Sequence, residues 1–241
     1  AGDLLGVYGS AAFVAGAVQK GKAYGYPLRF YGYANYLNTK QFKEVGLDAG
    51  KDWPKTWEQL GEVAKRLTIK EGNKFVRQGF KFAMHTAPWT MFQFNAILHQ
   101  CGGAWFDKAG KCTVNNAAGL KAMTIRASIA KQYGAEDPAD SIATAPLPQM
   151  DWLKERASMF FCHPIPPAAI ESQNPKMLSE GYFRPVQYPG VQAGKGGRIS
   201  GVRQRSNTKI QGVCGGGGGL GRADFQFRSA GRYGAARRDA G

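Results

Sequence analysis

Apolar positions along the chain recur with helical and extended periods in turn. Trp57, Leu60, Val63, Ala64 and Leu67 fall at helical spacing, while Glu58, Glu62, Lys65 and Arg66 face away. Thr56 precedes this run and Gln59 stands three residues on, the capping-box spacing, so a helix is predicted from that cap. Upstream, residues 38–47 read as a short helix capped by Asn38 or Thr39. Gly46 is placed for the left-handed residue after its end, and Leu47 to fold back on Phe42 or Val45. Residues 78–84 alternate as a strand, and Pro88 opens a helix through Trp89, Phe92, Ile97 and Leu98 that Gly102-Gly103 stops. Ala104-Trp105-Phe106, a turn at 107–110 and Lys111-Cys112-Thr113-Val114 predict a hairpin. Asn115 or Asn116 caps a further helix through Leu120, Met123, Ala127 and Ala130 to Tyr133, with Gly134 as its stop. Residues 150–156 fit a helical turn or two, and the apolar run 158–162 fits a buried strand. No internal repeat is visible. The pattern is that of an α/β domain, a mixed sheet with surrounding helices.

Composition divides the chain. Its 241 residues carry a net charge of +15 and are 43% hydrophobic, which excludes a wholly disordered chain. Residues 1–190 hold 22 basic and 15 acidic side chains; residues 191–241 hold 10 and 2, together with 14 of the 33 glycines. Such a basic, glycine-rich stretch buries too little apolar surface to offset the entropy of ordering its backbone, so it is expected to be a disordered tail. No apolar run approaches the roughly 20 residues that cross a bilayer. The first residues, Ala1-Gly2-Asp3-Leu4-Leu5, carry no targeting signal as written.

Several motifs occur in a familiar order. Gly21-Lys22-Ala23-Tyr24-Gly25-Tyr26-Pro27, Tyr36-Leu37-Asn38-Thr39-Lys40, Phe42-Lys43-Glu44-Val45-Gly46-Leu47-Asp48 and Pro54-Lys55-Thr56-Trp57-Glu58 resemble the middle of extracellular solute-binding proteins of ABC importers. They are similar to the family 1 group, which mostly carries sugars. Gln100-Cys101-Gly102-Gly103 with Asp107-Lys108-Ala109-Gly110-Lys111 resembles that family's glycine hairpin, and residues 157–164 its strand and Gly-Pro turn. The resemblance implies a type II periplasmic-binding-protein-like α/β fold, here mainly the second lobe with a remnant of the first. Residues 1–32 would be that remnant with a hinge strand through Leu28-Arg29-Phe30-Tyr31-Gly32, residues 33–190 the second lobe, and residues 191–241 the tail. Family members are far longer, so most of the first lobe is expected before Ala1. A strand returning to the first lobe is expected after residue 190, where the composition instead suggests a truncated or out-of-frame continuation.

The same resemblance implies a location that is periplasmic or extracellular and membrane-associated, with an ABC permease and its ATPase as partners of a monomeric binding protein. The ligand would be a sugar or polyol in the interlobe cleft; a glycerol phosphate or an oligopeptide stays open. Sugars need aromatic faces against their C–H faces and planar polar side chains for their hydroxyls. Trp89, after a predicted strand and at a helix start, either stacks on a sugar or anchors the core. Arg29, Tyr31 and Tyr33 sit on or beside the hinge, where family members place polar contacts, or are simply strand residues. His163 stands where the family turn commonly carries Gly-Pro-Trp, and Ile165 replaces the aromatic. His163 would offer a hydrogen bond, or be merely structural. Gln93 and Asn35 are further hydroxyl partners.

For catalysis the signals are poor. No nucleophile elbow, phosphate loop, zinc-protease or dinucleotide motif occurs, and the glycine run at 215–219 lacks the Lys-Ser/Thr of a phosphate cradle. No enzyme, cofactor or metal is expected; His99, Cys101 and Cys112 would need an invented fourth ligand for zinc. Cys101 and Cys112 flank the hairpin and either pair as a disulfide or stay free. The rival class is a basic nucleic-acid or polyanion binder, suggested by an isoelectric point near 9.8. The lysines of the body are scattered on helix exteriors, so no specific nucleic-acid surface is expected and only the tail would bind polyanions.

Overall fold

A computed structural model describes residues 18–19, 22–23, 25–82, 87–141, 147–162, 165–193 and 200–206. They belong to one contact unit, Ala1–Ser206; the second unit, Asn207–Gly241, lies outside the described residues. Two short strands, β1 (Val18–Gln19) and β2 (Lys22–Ala23), pair with each other. β3 (Gly25–Gly32) follows, and after a break at Tyr33 the chain enters β4 (Ala34–Asn38) in a different sheet.

Helix α1 (Thr39–Glu44) starts under Asn38, whose side chain accepts from the Gln41 N–H at 3.1 Å. At its end Gly46 takes φ 70°, and Leu47 N–H reaches the Phe42 carbonyl at 2.9 Å while Gly46 N–H reaches Lys43 at 3.0 Å. This is the predicted left-handed stop. In α2 (Trp57–Leu67) Thr56 caps the Gln59 N–H at 3.2 Å, but Gln59 reaches back to the Lys55 N–H instead of closing the box on Thr56. A hairpin absent from the periodicity follows, β5 (Ile69–Glu71) and β6 (Lys74–Arg77), turning at Gly72.

Of the predicted strand at 78–84, residues 78–82 are irregular and residues 83–84 lie outside the described residues. Residues 78–82 run parallel to β7 (Met159–Cys162) through bridges Gln78 to Ala157 and Lys81 to Phe160 only. Here Lys81 is fully buried between Asp140, at 2.6 Å, and Asp151, while Arg156 meets Asp151 at 2.5 Å. Gly79 permits the close pass over α2, because a Cβ there would lie 1.8 Å from the Ala64 carbonyl oxygen.

Helix α3 (Ala87–Gln100) ends at the predicted glycines, with Gly103 N–H on the Leu98 carbonyl at 2.9 Å. The expected hairpin closes through Asp107 N–H to the Lys111 carbonyl and Thr113 N–H to the Trp105 carbonyl, both 2.9 Å. Helix α4 (Ala117–Lys131) is capped by Asn116, and α5 (Pro148–Leu153), α6 (Pro167–Gln173) and α7 (Pro175–Ser179) follow before β8 (Phe183–Val186).

The principal sheet has the order β7-β4-β8, with both ladders antiparallel and the 78–82 segment beyond β7. Helices cover both faces, so β4 and β7 are buried throughout apart from partly buried Ala34. One face packs Leu37 and Phe161 with Trp57, Leu60, Ile97 and Ile129; the other packs Tyr36 and Phe160 with Trp152, Ile170 and Met177.

β9 (Ser200–Ser206) pairs antiparallel with β3 from Gly25–Ser206 to Gly32–Ser200. It lies inside the stretch that composition reads as tail. A two-stranded ribbon is held by backbone hydrogen bonds, which glycine-rich sequence can supply. The register slips between Pro27 and Arg29, as expected where proline has no N–H to donate.

Candidate functional site

Antiparallel pairing of β4 with its neighbours sets Ala34 opposite Cys162 and Asn35 opposite Val186. The start of β4, the end of β7 and the end of β8 therefore share one end of the sheet, the end at which the chain leaves the β3–β9 ribbon. The Tyr33 ring stacks on Phe161 there, centroids 5.1 Å apart at 21°, and meets Phe92 of α3 at 5.9 Å. The Tyr188 ring also packs on Phe161, with centroids 4.1 Å apart. Tyr33 is buried, whereas Phe92 keeps 40% of its surface exposed and is the open ring of the cluster. Gln93, next to it, donates to the Phe161 carbonyl at 3.4 Å.

Ile165 N–H donates to the Tyr36 hydroxyl at 3.2 Å, and the Cys162 thiol donates to Gln149 Oε1 at 3.6 Å. Burial raises the Tyr36 hydroxyl pKa, which the Ile165 contact offsets only in part, so the phenol stays protonated as a neutral anchor. A groove of about 520 Å³ runs from α3 to α4, floored by Gln93 and Phe94 and walled by Met91, Leu120 and Met123. It is largely apolar, and Arg126 within it is committed to Glu136 at 2.8 Å and lies over the Phe82 ring at 3.8 Å. Hydroxyl-rich solutes suit the sheet end better than this groove.

Tyr33 and Gln93 are thus brought together on Phe161. Asn35 is not: it is fully buried on β4 between Phe161 and Val186, because both faces of that strand are covered. Its amide finds no hydrogen-bond partner among the described residues. Arg29 and Tyr31 lie on β3 opposite Arg203 and Gly201; their side chains lie outside the described residues. Trp89 stands in the first turn of α3, and its side chain too lies outside the description, as does His163 altogether. The Cys101–Cys112 pair is not made; both are free thiols, since Cys101 sits in the turn directly after α3 and the hairpin register sets Cys112 opposite Phe106. Phe92 was not singled out as a contact by the sequence, although it follows Trp89 by one helical step of three. Among the described residues no group of three or more His, Cys, Asp or Glu could hold a metal ion. No described helix is long and apolar enough to cross a membrane.

The fold has well-matched solved counterparts. An ABC transporter solute-binding protein from Thermotoga lettingae, bound with alpha-D-tagatose, superposes with a TM-score of 0.67 at 21% identity, covering 83% of this chain and 50% of its own. Maltose-bound MalE3 of T. maritima gives a TM-score of 0.65 at 16% identity, over 82% of this chain and 49% of that one. A solute-binding protein of Agrobacterium vitis with bound D-mannitol gives 0.61 at 18%, over 81% and 46%. The chain thus spans about half the length of these structures, whose type II periplasmic-binding-protein-like architecture it shares. The polyanion-binding alternative finds no support among these relationships. A comparison with curated protein sequences gives no match. The model of the family described as bacterial extracellular solute-binding protein matches residues 2–152, more than half of the sequence, and the chain belongs to that family.

Proposed function

We propose that this chain is the sugar- or polyol-binding component of an ABC importer, working outside the cytoplasmic membrane as a monomer and handing its solute unchanged to a membrane permease. The observation that carries this reading is the half-open Phe92 ring beside Tyr33 and Gln93, at the sheet end next to the β3–β9 ribbon. An aromatic face of this kind covers the apolar C–H face of a sugar ring, while buried Gln93, donating to the Phe161 carbonyl, braces the helix turn that presents it. The solved counterparts bound with tagatose, maltose and mannitol support the solute class. The ribbon would be the hinge. A solute touching both lobes stabilises the closed form, and the permease reads that form. Residues 33–190 would supply one side of the cleft and residues 1–32 a remnant of the other.

Thermal-shift titration tests this with hexoses, pentitols, hexitols and disaccharides, on this chain and on a longer form that supplies both lobes. One neutral sugar or polyol should raise the melting temperature saturably, most strongly with both lobes present. Absence of a shift with every member of the panel, in both forms, would overturn the proposal.

A further inference from the structure

We propose that one internal water is a fixed part of this fold, held at the sheet end remote from Tyr33 by Asn38, Gln41, Trp152 and Ser158. All four side chains are fully buried. Each carries an atom with no hydrogen-bond partner among the described residues: Asn38 Nδ2, Gln41 Oε1, Trp152 Nε1 and Ser158 Oγ. A buried polar atom left unpaired costs its whole desolvation, and native folds rarely tolerate several together.

Strand register and packing gather the four residues at this end of the sheet. Asn38 N–H donates to the Ser158 carbonyl at 2.9 Å, which continues the β4–β7 register beyond Leu37–Met159. Directly opposed strand residues project from the same face, here the one carrying Tyr36 and Phe160. On its other side Asn38 lies opposite Phe183, and the Trp152 indole packs edge-on to Phe183 at 6.1 Å and against Phe160 at 5.2 Å. Gln41 joins from the first turn of α1. Its N–H is taken by Asn38 Oδ1 at 3.1 Å and its Nε2 donates to the Glu155 carbonyl at 2.8 Å, leaving Oε1 as the open end of the amide.

The inventory selects the occupant. Asn38 Nδ2 and Trp152 Nε1 only donate, Gln41 Oε1 only accepts, and the Ser158 hydroxyl does either. Two donors and two acceptors match the two lone pairs and two protons of a single water. A metal ion would face two N–H donors and no carboxylate or imidazole, and an apolar filler would leave all four atoms unpaired. The water ties the end of β4 to α1, α5 and the start of β7, and held by four fully buried side chains it exchanges slowly with bulk.

Water–protein rotating-frame Overhauser spectroscopy on the isotope-labelled full chain tests this. The Trp152 indole proton and the Asn38 side-chain amide protons should each show a cross-peak to water of the sign given by a long-lived bound molecule. Its absence from both would overturn the proposal. Ser158→Ala should remove or weaken those cross-peaks and lower the folding equilibrium constant roughly tenfold; cross-peaks and stability both unchanged would also overturn it. Should that variant fail to fold, the spectra of the unmodified chain decide alone.

Discussion

Tyr33 stacks on Phe161 at the one residue that separates the β3 ladder from the β4 ladder. The position that passes from ribbon to sheet is therefore fastened by its side chain to the sheet while its backbone belongs to neither ladder.

Tyr33 and Phe92 should part company under mutation. Tyr33→Ala removes a buried ring and is expected to cost about 3 kcal/mol or more in urea unfolding. Phe92→Ala trims a half-exposed ring and should cost about 1 kcal/mol, yet weaken solute affinity about tenfold by calorimetry. Equal loss of affinity and stability in both variants would contradict this division.

Lys81 is buried between two carboxylates. Lys81→Met leaves Asp140 and Asp151 without their shared cation and should destabilise the fold by about 3–5 kcal/mol in denaturant. Adding Asp140→Asn should recover part of that loss, because it removes the carboxylate left with no cation, whereas Asp151 keeps Arg156.

Gly79→Ala tests the close pass over α2. The new methyl would meet the Ala64 backbone oxygen, which cannot swing aside, so a loss of about 1–3 kcal/mol or above is expected with an unchanged denaturant slope. A neutral outcome would mean that residues 78–82 ride higher on the helix.

Tyr182 donates to Glu155 Oε1 at 2.7 Å, and Lys40 approaches the same carboxylate at 3.3 Å. Burial and the bond to Glu155 push the phenol up to about 12 from 10.0. The stability this contributes is whole below pH 10.0 and is lost as pH rises through about 12. Burial alone would raise the Glu155 pKa, but hydrogen bonds from Tyr182, Lys40 and Asn174 outweigh it and leave the net shift downward. Its contribution is present above the ordinary carboxylate pKa and fades as acid protonates the folded state. Tyr182→Phe should flatten the alkaline loss and shrink the acid one in pH-dependent unfolding; unchanged profiles would contradict the pairing.

The caps and stops were legible because each is local. Asn38, Thr56 and Asn116 bond to backbone a few residues on, and Gly46 needs only its own freedom. What escaped depends on distant neighbours. Asn35 and Gln93 read as hydroxyl partners, and nothing in their spacing reveals that helices cover both faces of β4 or that α3 presses Gln93 onto Phe161. The alternation at 78–84 suggested a full strand, but within residues 78–82 the buried Lys81 is paired with Asp140 of the 138–141 turn and Asp151 of α5. The β5–β6 hairpin is short and mostly exposed, so it leaves no apolar alternation to read. β9 hid in a basic, glycine-rich stretch because its pairing is made by backbone, for which side-chain pattern gives no signal.

Gly32 and Ser200 face each other across the ribbon. Everything between them is, topologically, an insertion into a hairpin: it leaves and returns through adjacent points on one stem. A graft that exchanges this cassette for a short turn, or carries it into a surface loop of a host protein, has only two neighbouring junctions to satisfy. A fluorescent reporter fused across the same junctions would sense any twisting of the stem.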